Sequence, residues 1–458
     1  MPSHPPGAWR YGRGLLSTLT RPFERFLRIE AASGIVLAAA TILALLWANS
    51  PVRDSYEALW HISIGIRLGP HELAKPLHFW INEGLMTVFF FMVGLEIRWE
   101  LHDGSLASAR AAILPAAAAL GGMVAPALVY LSINHTSSGA NGWAVPIATD
   151  IAFALGVLTL LGKRLPPSLR VLLLAVAVID DIGAILVIAV VYSVHVSLAG
   201  LAVAAGGASG VYVLRKLGVR SFAAYSIPAL LLWGGMLRGG IHPTLAGVAL
   251  GLLTPVRAWY GREGFAATAH AVGDALLEAR DERSVLELLR RAQIARRETL
   301  PPAVAWRARL HPAVSFFVLP LFALANAGVS VREVSLDNPS AKLAALGVVA
   351  GLVAGKPLGI VLASWVAVRV RLAALPEGVG WRGVALVGAV AGIGFTMAIF
   401  IAELAFDDER LQSTVKLAVL LASSLAASLG VAVGLLGWRR PEAPDEPRSN
   451  SHRGATSP

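Results

Sequence analysis

Two adjacent carboxylates inside an apolar run constrain this chain more than any other feature. The stretch is Val171-Leu-Leu-Leu-Ala-Val-Ala-Val-Ile-Asp-Asp-Ile-Gly-Ala-Ile-Leu-Val-Ile-Ala-Val-Val-Tyr192. About twenty apolar residues predict a membrane-spanning helix. An ionised carboxylate at that depth costs several kcal/mol unless it is paired, hydrated or protonated. One buried acid can be satisfied by a neighbouring side chain. Two at one spot double the penalty and point to a cation or proton site. Neighbours on a helix point about 100° apart, so Asp180 and Asp181 cannot share one role. One can face a cavity while the other faces a partner helix.

The rest of the chain suits a membrane. Charged residues make up 15% and hydrophobic residues 56%, against about 25% charge in a soluble domain. An all-α polytopic membrane protein follows. There is no cysteine, which excludes a disulfide framework and a thiolate metal or redox centre. The net charge of +10 fits basic cytoplasmic loops and not nucleic-acid binding. No HExxH, Walker motif, nucleophile elbow or dinucleotide fingerprint is present.

The hydrophobic pattern predicts about twelve spans: Ala31–Trp47, Ile81–Leu101, Ala111–Ile133, Val145–Leu161, the Asp-Asp helix, Leu198–Val213, Phe222–Leu237, Ile241–Leu253, Val314–Val329, Leu343–Ala367, Val384–Ala405 and Val415–Leu436. Met1–Glu30 reads as a basic cytoplasmic segment ahead of a retained first helix, and not as a cleaved signal peptide. The membrane domain runs from 31 to 440. Asn49–Trp80 is too polar to span and suits a short helix plus a hairpin. The polar insert Arg257–Ala308 is expected to hold a surface helix over Asp274–Ile294. Pro441–Pro458 is expected to be a disordered cytoplasmic tail. Every second loop is basic, while Asn134–Asn141 and His195–Ser197 carry no Lys or Arg. This alternation predicts an even number of spans with both termini cytoplasmic.

Other polar groups also lie at membrane depth. Pro146-Ile-Ala-Thr149-Asp150 interrupts the fourth span. It reads as a capped kink, or as an unwound segment in which Asp150 offsets the positive ends of two half-helices. Lys356 sits mid-span with about ten apolar residues on each side, so pairing with Asp150 or Asp180 is favoured over snorkelling. Gly392-Ile-Gly394-Phe-Thr396 interrupts the eleventh span. Close helix packing would explain it alone. However, spans three to five and ten to twelve would each place an interrupted helix in the middle, as in inverted-repeat transporters. Glu96 and Glu100 share a helix face near one end of the second span. His242, at a span start, suits either an interfacial hydrogen bond or a pH response.

These residues resemble one family. Val93-Gly-Leu-Glu96, Ala148-Thr-Asp-Ile-Ala-Phe-Ala-Leu-Gly156, Ile179-Asp-Asp-Ile-Gly183, Gly240-Ile-His-Pro-Thr-Leu-Ala-Gly247, Pro320-Leu-Phe-Ala-Leu-Ala-Asn-Ala-Gly328, Gly355-Lys-Pro-Leu-Gly359 and Gly392-Ile-Gly-Phe-Thr-Met397 are similar to the NhaA family of bacterial sodium/proton antiporters. The match runs from about Ala31 to Arg440. That family is itself among the inverted-repeat transporters in which this pattern is known.

The resemblance implies twelve helices in the bacterial inner membrane, with two discontinuous helices, spans 4 and 11, crossing each other. It implies electrogenic exchange of internal Na⁺ or Li⁺ for external protons, with no cofactor, and a homodimer joined through the Asn49–Trp80 hairpin. Asp181 matches the main ion-binding carboxylate and Asp180 its neighbour, so Asp181, Asp180 and Thr149 are the implied ligands of the transported Na⁺ or Li⁺. Thr149 and Asp150 match the crossing of the fourth helix, Gly394 the break in the eleventh, and Lys356 the lysine that pairs with an aspartate and balances helix ends. Glu96 and Glu100 match acids of the cytoplasmic funnel, and with His242 and His311 they are the candidates for a pH response. The chain departs from better-known members at Trp306-Arg-Ala-Arg-Leu-His311, where an acid is usual before Leu-His-Pro. It also departs at Trp99, where an arginine is usual, at Glu83, where an aspartate is expected, and in its longer insert.

Two other classes fit the residues alone. A sodium symporter or cation channel would use the same carboxylates without proton exchange. An intramembrane aspartyl enzyme would need two facing aspartates; adjacent Asp180 and Asp181 diverge, and Asp150 with Asp181 would have to form the pair beside Lys356.

Overall fold

The computed structural model describes residues 30–68, 71–104, 106–135, 137–193, 197–332, 334 and 337–437. The basic N-terminal segment and the tail beyond 440 lie outside them. Each predicted span coincides with a helix or a broken helix. In chain order these are α1 (Glu30–Ala48), α2 (Arg53–His61), β1 (Ser63–Leu68), β2 (His71–Pro76), α3 (Leu77–Glu100) and α4 (Ala109–Asn134). A 3₁₀ segment, Ala140–Ile147, then precedes α5 (Ile151–Leu161), α6 (Pro167–Val191), α7 (Leu198–Lys216), α8 (Phe222–Gly239) and α9 (Thr244–Leu253). The insert holds α10 (Gly261–Glu278) and α11 (Glu282–Arg297). The chain continues through α12 (Pro302–Asn326) and α13 (Pro339–Arg369), then α14 (Trp381–Ala391), α15 (Phe395–Ala405) and α16 (Glu409–Gly437). Among the described residues eight helices are long and apolar enough to cross a membrane, and two bent pairs bring the number to ten. The apolar α8 and the short α9 account for the other two predicted spans.

Aliphatic side chains on the outer helix faces, such as Leu46, Val190, Ile227 and Leu230, are more than half exposed. That suits helices whose backbone bonds are satisfied internally and whose outer faces meet lipid. The buried residues between them are mostly apolar, with polar and charged exceptions that include Thr149, Asp150, Asp180, Asp181 and Lys356.

The Asn49–Trp80 region is the expected short helix, α2, followed by an antiparallel hairpin with Ser63 opposite Pro76. This marks one end of the molecule, the hairpin end; α10 and α11 mark the other, the insert end. Among the described residues three spans carry a widened π turn. Two of these, Val314–Val318 and Gly351–Gly355, lie in the turn before Pro320 and Pro357, where the ring removes a donor and crowds the preceding carbonyl.

Two boundaries differ from the sequence reading. The insert holds two helices where one was expected over Asp274–Ile294. The apolar period runs on unbroken, but the chain leaves the helix at Ala279, and the Asp281 carboxylate caps a new one by accepting from Ser284 N at 3.0 Å. The ninth span begins at Pro302 rather than Val314, because polar residues such as Arg307 extend its helix beyond the apolar stretch.

Candidate functional site

The breaks in the fourth and eleventh spans meet. Ala148–Asp150 leaves the helix after the 3₁₀ segment, and Gly392–Gly394 separates α14 from α15 with a 48° bend. The two non-helical segments cross and are joined by Asp150 N donating to Ile393 O at 2.7 Å. Gly394 is required there: an added Cβ would lie 2.8 Å from Ala398 Cβ and 3.2 Å from Ala148 O.

Together the two breaks expose two carbonyl ends and two amide ends of half-helices, and side chains meet all four. Asp150 caps α5 by accepting from Phe153 N at 3.0 Å. Its other oxygen accepts from Thr396 N at 3.2 Å and Thr396 Oγ1 at 2.5 Å, in the first turn of α15. One buried carboxylate thus serves two helix N-termini. Ser423 Oγ on α16 accepts from Phe395 N at 3.0 Å. At the carbonyl ends, the Lys356 ammonium donates to Ile147 O, and Thr149 Oγ1 lies 2.9 Å from Ala391 O.

Lys356 also donates to Asp180 Oδ2 at 2.5 Å, with neither side chain more than 1% exposed. Thr149 Oγ1 lies 2.6 Å from the same oxygen. Lys356 reaches this position because Gly355 lets α13 close on α4; a Cβ there would come within 2.9 Å of Pro126 Cα. Asp180 is therefore locked between a lysine and a threonine. Asp181 points elsewhere. It lines a cavity of about 430 Å³ together with Thr149, Asp150 and Thr396. Asp180 does not line this cavity, so the adjacent acids divide as helix geometry requires.

The cavity runs toward the insert end, where Glu96, Arg307 and His311 line it. Glu96 Oε1 lies 3.9 Å from Arg307 NH1, and the arginine side chain is 39% exposed. The departure noted before Leu-His-Pro thus puts a guanidinium at the cavity mouth. Glu100 lies one turn beyond Glu96 and is not part of the lining. His242 is elsewhere: its Nε2 is 3.0 Å from Tyr192 O and its Nδ1 3.8 Å from Glu83. The structure thus brings Asp150, Thr149, Asp180, Asp181, Lys356 and Gly394 together, sets Glu96 and His311 at the mouth, and leaves Glu100 and His242 outside.

Thr396 belongs to the site, although the sequence offered it only as part of a glycine motif; its contact with Asp150 spans 246 residues. An aspartyl-enzyme arrangement is not formed, since both Asp150 oxygens are occupied by helix-end donors. Among the described residues no group of three or more His, Asp or Glu converges as a resident metal site.

A model of the Na⁺/H⁺ antiporter 1 family matches residues 24–434. Curated relatives match nearly end to end. The Na⁺/H⁺ antiporter NhaA 2 of Sorangium cellulosum is 53% identical over 443 residues, covering 96% of this chain and 95% of its own length. NhaA 2 of Myxococcus xanthus is 52% identical over 434 residues, covering 94% and 92%. NhaA of Cupriavidus necator is 50% identical over 442 residues, covering 95% and 94%.

Proposed function

This chain belongs to the Na⁺/H⁺ antiporter 1 family, and from that premise we propose that it exchanges Na⁺ or Li⁺ for protons at Asp181. The observation that carries this assignment is the division of the adjacent acids: Asp181 faces the cavity, while Asp180 is held by Lys356 and Thr149. A cation shedding its water needs several oxygens. The Asp181 carboxylate, the Thr149 hydroxyl and the carbonyls freed at the crossing supply them, with Asp180 joining when Lys356 moves away. A proton can hold the same carboxylate, so the two substrates exclude one another. Alternating exposure of the site to the two faces turns that exclusion into exchange. One proton is carried at Asp181 and the second by the Asp180–Lys356 pair, so each Na⁺ is exchanged for two protons and the cycle moves net charge.

The expected setting is the bacterial inner membrane, with both termini and the insert cytoplasmic, as the alternation of basic loops supports. The expected assembly is a homodimer through the hairpin. No cofactor is expected.

The test is a ΔpH measurement in everted vesicles containing the chain, followed with a pH-sensitive dye as Na⁺, Li⁺ or K⁺ is added across a pH series. Na⁺ and Li⁺ should collapse the gradient. Asp181→Asn should abolish the response while the protein remains in the membrane. Exchange at the parent rate in that variant would overturn the assignment. Na⁺-driven uptake of an organic solute, or ohmic current without proton coupling, would favour the symporter or channel reading.

A further inference from the structure

A second polar cluster lies at the hairpin end, on the far side of the site from the cavity. Glu403 on α15 pairs with the Lys416 ammonium on α16, and both side chains are nearly buried. His78 Nε2 on α3 lies 3.8 Å from Glu403 Oε1 and 2.8 Å from Asn326 Oδ1 on α12. Asn326 and Asn82 exchange amide hydrogen bonds at 2.8 and 3.2 Å. Four helices are therefore tied at one level by polar groups that are buried or, in His78, partly exposed, which helix formation alone does not require.

The cluster is aligned with the site. Thr396, Phe400 and Glu403 are spaced by four and three residues, so they share one face of α15. Thr396 lines the cavity, and Glu403 lies about 10 Å further along the helix. Between them Phe400 is fully buried, with ring centroids 5.4 Å from Phe90 on α3 and 6.1 Å from Phe322 on α12. Asn326 sits one turn beyond Phe322 and donates to its carbonyl at 2.9 Å. The order along the helices is site, aromatic plug, polar clasp.

We propose that the ion path to the hairpin end runs between α3, α12 and α15, that the three phenylalanines close it here, and that Glu403 is its hairpin-side cation station, held shut by Lys416. This rests on the antiporter reading above. With the path closed, the Lys416 ammonium neutralises Glu403 and ties α15 to α16, while His78 and the two asparagines tie α15 to α3 and α12. With the path open, these contacts part. The freed carboxylate then meets the transported cation, and Lys416 is the tethered cation that it displaces. Two buried charges left unpaired are costly, so the clasp favours the closed arrangement.

The chain has no native cysteine, so a reporter can be placed at Ser315→Cys in the cavity wall and labelled with a membrane-impermeant thiol reagent from either face. Labelling from the insert face should be fast and confirms folding. Labelling from the hairpin face should be slow in the parent, about tenfold faster in the Glu403→Gln/Lys416→Met double variant, and slow again in the charge exchange Glu403→Lys/Lys416→Glu. Glu403→Gln alone should raise the Na⁺ KM at the hairpin face and leave that at the insert face unchanged. Unchanged hairpin-face labelling in the double variant would overturn the clasp, and equal KM changes at both faces would overturn the station. If the double variant does not reach the membrane, substitution of the partly exposed His78 (His78→Gln) carries the same labelling test with the same two readings. Labelling needs no transport, so a chain that labels as expected but exchanges no ions retracts the antiporter reading and leaves the gate in place.

Discussion

Asp180 and Asp181 are the same residue type side by side, yet one is a structural anchor and the other faces open space. The anchor makes a stability prediction. Lys356→Met leaves Asp180 buried without its cation, and should cost about 3–5 kcal/mol. Adding Asp180→Asn removes the stranded charge and should restore part of that loss, read as a rise in melting temperature of the purified protein over the single variant. Simple additivity would show that the two side chains do not act as a pair. The sequence made these residues legible because charge at membrane depth has few innocent explanations. It did not reveal Thr396 or Ser423, whose hydroxyls look ordinary in an apolar helix until a partner from another element arrives. Nor did it single out Glu403, Lys416 and His78, since charges near span ends are commonplace.

At the scale of elements, the two interrupted spans were legible from Pro146, Gly392 and Gly394, because few residues other than proline and glycine break an apolar helix. The division of the insert into α10 and α11 was not, since a cap can restart a helix within an unbroken apolar period. That cap carries a pH dependence. Hydrogen bonds from Ser284 hold the exposed Asp281 carboxyl below its usual range. A lowered folded value means that the cap's contribution is present at neutral pH and is lost as pH falls through that value. Proteolysis between α10 and α11 should therefore accelerate in acid, and Asp281→Asn should flatten the response. The insert as a whole is anchored more firmly. Arg220 pairs with the buried Glu298 at 2.6 Å and lies over Trp259 at 4.3 Å from the ring centre, joining the α7–α8 turn to the segment that leads into α12.

For the whole molecule, the span number followed from the thickness of a bilayer and from basic loops recurring at every second turn. The crossing of the two broken spans did not follow from either, because nothing in one half of the chain names its partner in the other. Single cysteines test the resulting topology on the native background. One in the α2–hairpin region should label from outside intact cells, and one in α10 only after the membrane is opened. Labelling of both from outside would reverse the orientation.

The crossing has a mechanical consequence. Hydrogen bonds from Asp150 N to Ile393 O, from Thr149 to Ala391 O and from Thr396 to the Asp150 carboxylate fasten the two segments within a few residues of the breaks, with helical arms on either side. Each of α14 and α15 is eleven residues long, an arm of about 16 Å. A turn of about 10° around that pivot would swing the far tip of an arm by about 3 Å, roughly a water diameter, while every hydrogen bond inside the arms stayed intact. The crossing works as the fulcrum of a pair of scissors. The blades can open at one face and close at the other without any helix having to melt.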